Sequence, residues 1–141
     1  MPQLETARLI LRGWREADRE PFARMNADPR VMRHFPAVLS REESDGAIEW
    51  IEGQFAAHGF GLFAAELRDS GEFVGFIGLS VPSFEAHFTP CVEIGWRIAA
   101  QYWNSGLATE GAAAALRFGF ETIGLREIVS FTVPATWCRA A

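Results

Sequence analysis

The residues best placed to do chemistry are Asn104-Ser105-Gly106, between a strand candidate ending near Ala99 and a helix opening with Leu107-Ala108-Thr109-Glu110. Such a turn can point backbone amides outward, and Gly106 lets a ligand approach the main chain closely. The first unpaired N–H groups of the helix and its dipole then make an anion site, with phosphate the usual occupant. The same residues also read as a plain turn and N-cap. Other chemistries lack their signatures. His34, His58 and His87 are widely separated and fall in loops or at helix ends, where solvated or capping roles are expected. No HxxxH, CxxC or GxSxG is present, so neither a metal site nor a serine hydrolase is expected. All 13 basic residues are Arg, which removes a Lys nucleophile or a P-loop Lys. Gly59-Phe60-Gly61 precedes a strand instead of following one, so it is no dinucleotide fingerprint.

The elements that must position this turn follow from pattern. TARLILRG, residues 6–13, sets Leu9 and Leu11 against Arg8, Ile10 and Arg12 as a first strand. A helix from about Glu16 to Asn26 stops at Asp28-Pro29, since the residue before proline avoids the helical region. Ser40-Arg41-Glu42-Glu43 is a capping box for a second helix, with Ala47, Ile48, Ile51 and Phe55 on one face and Gly59 closing it. Phe60–Leu67 and Glu72–Leu79 form a hairpin across Arg68-Asp69-Ser70-Gly71. Val92–Ala99, a long Ala-rich helix over Gly106–Ile123, and Glu127–Val133 complete a β-α-α-β-β-β-α-β order. That order predicts an α/β (α+β) mixed sheet with helices on both faces.

The 141 residues fit one domain, and 49% hydrophobic with 22% charged residues suits a globular fold. Residues 1–41 carry eight Arg and five acids, whereas 42–141 carry five Arg and thirteen acids, for a net charge of −5. Without a strong basic stripe no nucleic-acid partner is expected, and the basic start reads as a solvated surface with some ion pairs. Cys91 and Cys138 form no disulfide framework, the N-terminus is no signal peptide, and no run reaches a membrane span. The expectation is a reduced cytoplasmic protein without a membrane partner.

From Leu4 to Ala135 the chain resembles the GCN5-related N-acetyltransferases, in the ribosomal-protein and small-amine branch. LETARLILRGWREADREPF is similar to that branch's opening L-x-T-x-R-L-x-L-R and acidic first helix, and GEFVGFIGL to its third strand. VEIGWRIAAQYWNSGLATEGAAAALRFGF resembles its cofactor motif, E-I-G-aromatic and then Y-W-G-x-G-Y-A-T-E-A. The resemblance implies acetyl-CoA as co-substrate, an amine acceptor and no metal. It implies a pantetheine arm in a gap between Trp96-Arg97-Ile98 and Ser130–Thr132. It also implies a pyrophosphate on the backbone amides of Trp103, Asn104, Ser105, Gly106, Leu107, Ala108 and Thr109. Relatives have Gly where this chain has Asn104, a residue that tolerates unusual backbone angles. Glu93 lies near the family's general base, and a carboxylate in a partly apolar cleft has a raised pKa that suits this role. Alternatively, Glu93 faces solvent or pairs with an Arg such as Arg97. The N–H near Ile94 or Gly95 is the implied oxyanion donor. Glu110 is expected to stabilise the helix start. Trp14, Trp50, Trp96 and Trp103 are expected in core or rim packing, with Trp14 and Phe35 also candidates to line an acceptor pocket.

The likeness stops at Ala135, where relatives continue with Asn, a run like x-R-S-x-x-V-M-E-K-L-G-F and further strands. An abrupt switch of this kind points to a frame change or early stop, testable in the DNA beyond Ala141. It also leaves Glu127–Val133, with Ile128, Phe131 and Val133, as an apolar open edge that predicts a homo-oligomer. Two readings follow: an acetyl-CoA-dependent N-acetyltransferase, or a CoA-binding member with little or no activity. A structural remnant that binds nothing is the third. The acidic balance of residues 42–141 favours a cationic acceptor.

Overall fold

A strand-forming alternation of Leu9 and Leu11 with polar neighbours requires a partner sheet on one side, and that is where the chain puts it. The computed structural model describes residues 2–33, 35–81, 91–130 and 136–138. Its strands are β1 (Leu4–Glu5), β2 (Leu9–Arg12), β3 (Leu62–Leu67), β4 (Phe73–Ser80), β5 (Glu93–Ile98), β6 (Glu127–Val129) and β7 (Thr136–Cys138). They lie in one sheet in sequence order, antiparallel throughout except for β5 with β6. The helices are α1 (Arg19–Asn26), α2 (Arg41–His58) and α3 (Leu107–Arg117).

Pairing register divides the sheet into two faces. Leu9, Leu11, Phe63, Ile77 and Leu79 are fully buried on one face, against which α3 lies. A Cβ at Gly111 of α3 would strike Ile77, and one at Gly119 would come within 2.8 Å of Ile128 and 2.9 Å of Leu79. The small residues therefore set the helix-to-sheet distance. On the opposite face Phe22 of α1 packs edge-on to Phe73 and Phe76, with centroids 6.2 and 6.0 Å apart. Helices thus cover both faces, as the β-α-β-type crossover predicts.

Local signals are realised closely. Ser40 caps α2 with Glu43 returning the bond, and Gly59 ends it in the left-handed region at φ 78°. Three elements differ from the sequence reading. The strand expected over residues 6–13 is confined to β2, and an additional short strand, β1, precedes it across a corner where Thr6 N–H donates to Leu9 O at 2.9 Å, which alternation does not encode. The long helix is α-helical only to Arg117 and widens into a π-type turn over Phe118–Ile123, which ends on Gly124 at φ 87°. β6 is not an open edge over Glu127–Val129, because β7 pairs with all three residues. The free edge of the described sheet is accordingly β7, whose pairing arises from a segment with no strand pattern of its own. Phe131 and Val133 lie outside the described residues, as do His34 and His87. Arg12, read as part of a solvated surface, is buried at 5% exposure with Asp18 and Glu66, the polar residues that share its side of the sheet.

Gly75 sits at φ 147° beside the bulge in β4 between the Gly75–Ala65 and Phe73–Glu66 pairings, and a Cβ there would collide with the carbonyl oxygen of Arg97. Gly53 in α2 is exposed with nothing near its missing Cβ. Gly75→Ala is expected to lower the unfolding free energy by about 3 kcal/mol through strain and backbone collision. Gly53→Ala should raise it by about 0.5–1 kcal/mol through helix propensity. Urea unfolding of the two variants measures both.

Candidate active site

Among the described residues β5 and β6 pair at Glu93 with Val129, beside which Val129 N–H donates to Val92 O at 2.8 Å. On its other side β5 pairs with β4 along all six residues. Beyond Glu93 the outer edge of β5 has no strand partner among the described residues, and the space beside it belongs to a cavity of about 850 Å³, large enough for a small-molecule ligand. The gap expected between Trp96–Ile98 and Ser130–Thr132 has only its near side and the buried Ser130 among the described residues; Phe131 and Thr132 lie outside them.

Cross-strand register fixes what faces the cavity. Ser80 is opposite Glu93, Gly78 opposite Gly95, and Phe76 opposite Arg97. Glu93, Gly95 and Arg97 therefore share one face of β5, while Ile94, Trp96 and Ile98 alternate onto the other. Glu93 is half-buried and lines the cavity. Burial pushes its carboxyl above the usual carboxylate value, and a bond from Ser80 Oγ to Glu93 Oε1 at 3.2 Å works in the opposite sense without cancelling the rise. Pairing with Arg97, the alternative, is not what the structure holds: Arg97 Nη1 donates to Asn26 Oδ1 at 2.9 Å instead.

The turn that follows β5 has the conformation its residues predict. After a 3-10 turn at Ala100–Tyr102, Trp103 Nε1 donates to Ile98 O at 2.7 Å and Ser105 Oγ to Tyr102 O at 2.6 Å. Asn104 and Gly106 both take left-handed angles, φ 61° and 79°, which suit Asn best among residues with a Cβ. Gly106 is the N-cap of α3 and brings no side-chain bond to the helix start, so the first-turn N–H groups remain available to a ligand. Trp103, Asn104, Gly106, Leu107, Ala108 and Thr109 line the cavity, with Trp96, Arg97 and Ile98 on the strand side. Ser105 does not; its carbonyl accepts from Arg8 Nη1 at 2.7 Å and its hydroxyl closes the turn from behind.

Glu110, in the first turn of α3, does more than meet the helix dipole. It accepts from Thr6 Oγ1, and from Arg8 N and Arg8 Nε at 2.8 Å each. The turn before α3 is thereby tied to the β1–β2 corner. Burial alone would raise the Glu110 carboxyl, but the bonds from Thr6 and Arg8 outweigh it and hold the group below its usual value. This tie is legible only as the coincidence that Thr6, Arg8 and Glu110 all belong to stretches with a family likeness.

The tryptophans and Phe35 divide between core and cavity. Trp14 packs on Phe22 and Phe73 and donates to Leu62 O at 2.9 Å, outside the cavity. Phe35, Trp50 and Trp103 stand at the cavity, 49%, 44% and 42% exposed, so its rim is aromatic and open to solvent. His58 stacks on Phe60 at the end of α2, away from the cavity.

Residues 8–135 match the acetyltransferase (GNAT) domain family. The chain belongs to the GNAT acetyltransferases. It is 32% identical over 139 residues to the FsC-acetyl coenzyme A-N(2)-transacetylase of Aspergillus fumigatus Af293, covering 94% of this chain and spanning 58% of the length of that protein. A crystal structure of an acetyltransferase from Agrobacterium tumefaciens C58 superposes with a TM-score of 0.78 at 29% identity, over 92% of this chain and 73% of the other. A ribosomal L7/L12 alpha-N-protein acetyltransferase, RimL, solved in complex with coenzyme A, shares the fold at 15% identity and a TM-score of 0.71, over 92% and 73% of the two chains. The GNAT fold and family inferred from the three sequence stretches are thus those of the chain.

Glu110→Gln is expected to lower stability by about 1–2 kcal/mol at pH 7, the usual cost of breaking charge-assisted bonds at a partly buried site. The native carboxyl sits below its unfolded value, so its contribution is whole above the ordinary carboxylate range, about pH 4.3. It is lost as pH falls through the lower native value. Thermal unfolding of both proteins from pH 7 to pH 3 should show the difference shrinking toward the acid end.

Proposed function

We propose that this GNAT domain is an acetyl-CoA-dependent N-acetyltransferase that moves an acetyl group to a primary amine by direct attack. One observation carries the reading: the left-handed Asn104–Gly106 turn at an uncapped helix start and the half-buried Glu93 open on one cavity that runs along β5. These features fit acetyl-CoA. Main-chain N–H groups from Asn104 to Thr109 suit a pyrophosphate, and the stretch of the cavity along Trp96–Ile98 suits the pantetheine arm. The names of the fungal relative and of the RimL complex, both referring to coenzyme A, support the same ligand.

Bound acetyl-CoA supplies an activated acetyl thioester. The chain's own part begins with the acceptor, which arrives as an ammonium ion with no lone pair to offer. Glu93 is suited to take that proton, because burial brings its value closer to neutrality. The main-chain N–H near Ile94 or Gly95 would donate to the carbonyl oxygen as negative charge develops there. Gly95 leaves the floor between them clear, since a Cβ at that position would meet only Leu62 Cδ2 at 3.8 Å.

Calorimetric titration with acetyl-CoA and CoA should give saturable binding, and no binding at millimolar ligand would overturn the reading. Thiol release with a panel of amines then separates an enzyme from a CoA-binding member without turnover. Glu93→Gln should slow thiol release about 10²–10⁴-fold with acetyl-CoA affinity unchanged. In the wild type the rate should rise with pH as Glu93 loses its proton. Ser80→Ala removes the bond that favours the charged carboxylate, so that rise should move to higher pH. A profile unmoved by Ser80→Ala would assign the base elsewhere.

A further inference from the structure

Arg97 is the one cation lining the cavity, and it has no acidic partner among the described residues. Its guanidinium lies between the rings of Phe35 and Phe76, 4.9 and 5.1 Å from their centroids, and donates to Asn26 Oδ1. Asn26 is fully buried and donates from Nδ2 to Ser44 Oγ at 3.0 Å, with Ser44 also fully buried. A relay from α2 through α1 thus holds the guanidinium of a β5 residue in place. No carboxylate of the described residues lies within ion-pair distance of it, although every other Arg of the buried sheet and of the turn, Arg12 and Arg8, has one. Burial pushes Arg97 down to about 10, which marks a cation taken from water without a counter-charge.

One amide oxygen meets one of the five guanidinium donors and none of the charge. Arg97 is half-buried and lines the cavity. Along the same face of β5, Glu93 lies about 13 Å away in strand rise, with the open floor of Gly95 between them. The face therefore presents an anion at one end and a cation at the other.

We propose that Arg97 is a specificity residue for the acceptor, binding a carboxylate carried by the amine that is acetylated. The proposal rests on the acetyltransferase reading for the amine end, since Glu93 would face the ammonium group while Arg97 takes the carboxylate in a planar, two-pronged contact. The rings of Phe35 and Trp50 at the rim suit an apolar body between or beside these groups. The acidic surplus of residues 42–141 acts through solvent on the encounter. Inside the cavity the local cation decides which acceptor stays, so a purely cationic acceptor is disfavoured there.

Equilibrium binding to the CoA-saturated protein, followed by calorimetry, tests this without requiring turnover. The probes are phenylalanine and phenylalanine amide, which differ in the carboxylate alone, and a tripeptide with Asp or Asn at its second position. The amino acid pair and the peptide pair read the two possible sources of the carboxylate separately. At least one acid should bind about tenfold or more tightly than its amide partner, the scale of a charge-assisted contact. Arg97→Met should bring that ratio near one, and Arg97→Lys should restore part of it. Equal binding of acid and amide in both pairs, no binding of any acid, or a ratio that survives Arg97→Met would each overturn the proposal. The wild-type comparison decides it even if Arg97→Met fails to fold. Acid-selective binding without acetyl transfer to any amine would remove the enzymatic reading and leave this site standing.

Discussion

The candidate site depends on how closely α3 lies on the sheet beside β5. Main-chain N–H and C=O groups inside a protein are almost always paired, and β5 meets that demand on its β4 side along its whole length. On the β6 side, among the described residues, the pairing joins Glu93 to Val129. Gly111 and Gly119 let α3 and the turn after it lie close enough on Ile77, Leu79 and Ile128 to seal one face of the sheet. The outcome is a packed face under α3 and a cavity along β5.

Such an opening would weaken a small domain unless its borders were fixed independently. Two polar assemblies at the N-terminal strands do this. Arg12 is buried with Asp18, which it meets through two parallel bonds at 2.8 and 2.9 Å, and with Glu66. Asp18 in turn accepts from Arg15 N, so the start of α1 is fastened to β2 and β3. A buried ion cluster of this type need not add stability over an apolar core of equal shape, but it tolerates only one arrangement of its elements. On the other face Thr6 and Arg8 hold Glu110 and the carbonyl of Ser105, so the turn before α3 is registered against β2. The first strands thereby control the geometry of a site to which they contribute no lining residue.

Much of this is legible in the sequence, and what is not has a common physical character. The capping box at Ser40, the stop at Gly59, the hairpin turn after Leu67 and the left-handed Asn104 and Gly106 are local rules, satisfied by residues within five positions of one another. The order of strands and the placement of Glu93 in a cleft follow from pattern joined to family likeness. The misses are long-range. Nothing near Arg12 announces that Glu66, 54 residues on, will bury it. Nothing near Arg97 tells that Asn26 and two aromatic rings will take it in without an acid. The π-type widening after Arg117 and the pairing of β7 with β6 likewise depend on how distant segments fill space. Glu93 with Arg97 was a reasonable pair at four residues' spacing, yet four residues along a strand span about 13 Å, beyond the reach of a direct ion pair without folding both side chains toward Gly95.

The two halves of the cavity are built from different materials, and this bears on how the domain can change. On the turn the cavity is bordered by main-chain groups whose positions follow from φ at Asn104 and Gly106. Side-chain substitution there alters conformation before it alters contacts, so this half is constrained by geometry. On the other side the lining is Glu93, Arg97, Phe35 and Trp50, side chains on four separate positions carried by β5, α2 and the segment between α1 and α2. Each can be exchanged at the cost of its own contacts, with the sheet and α3 left in place. On the proposed reading, a domain so divided would keep one acyl donor while acceptor preference shifts, because the donor half would be fixed by backbone and core packing, and the acceptor half by a handful of side-chain contacts at an aromatic rim.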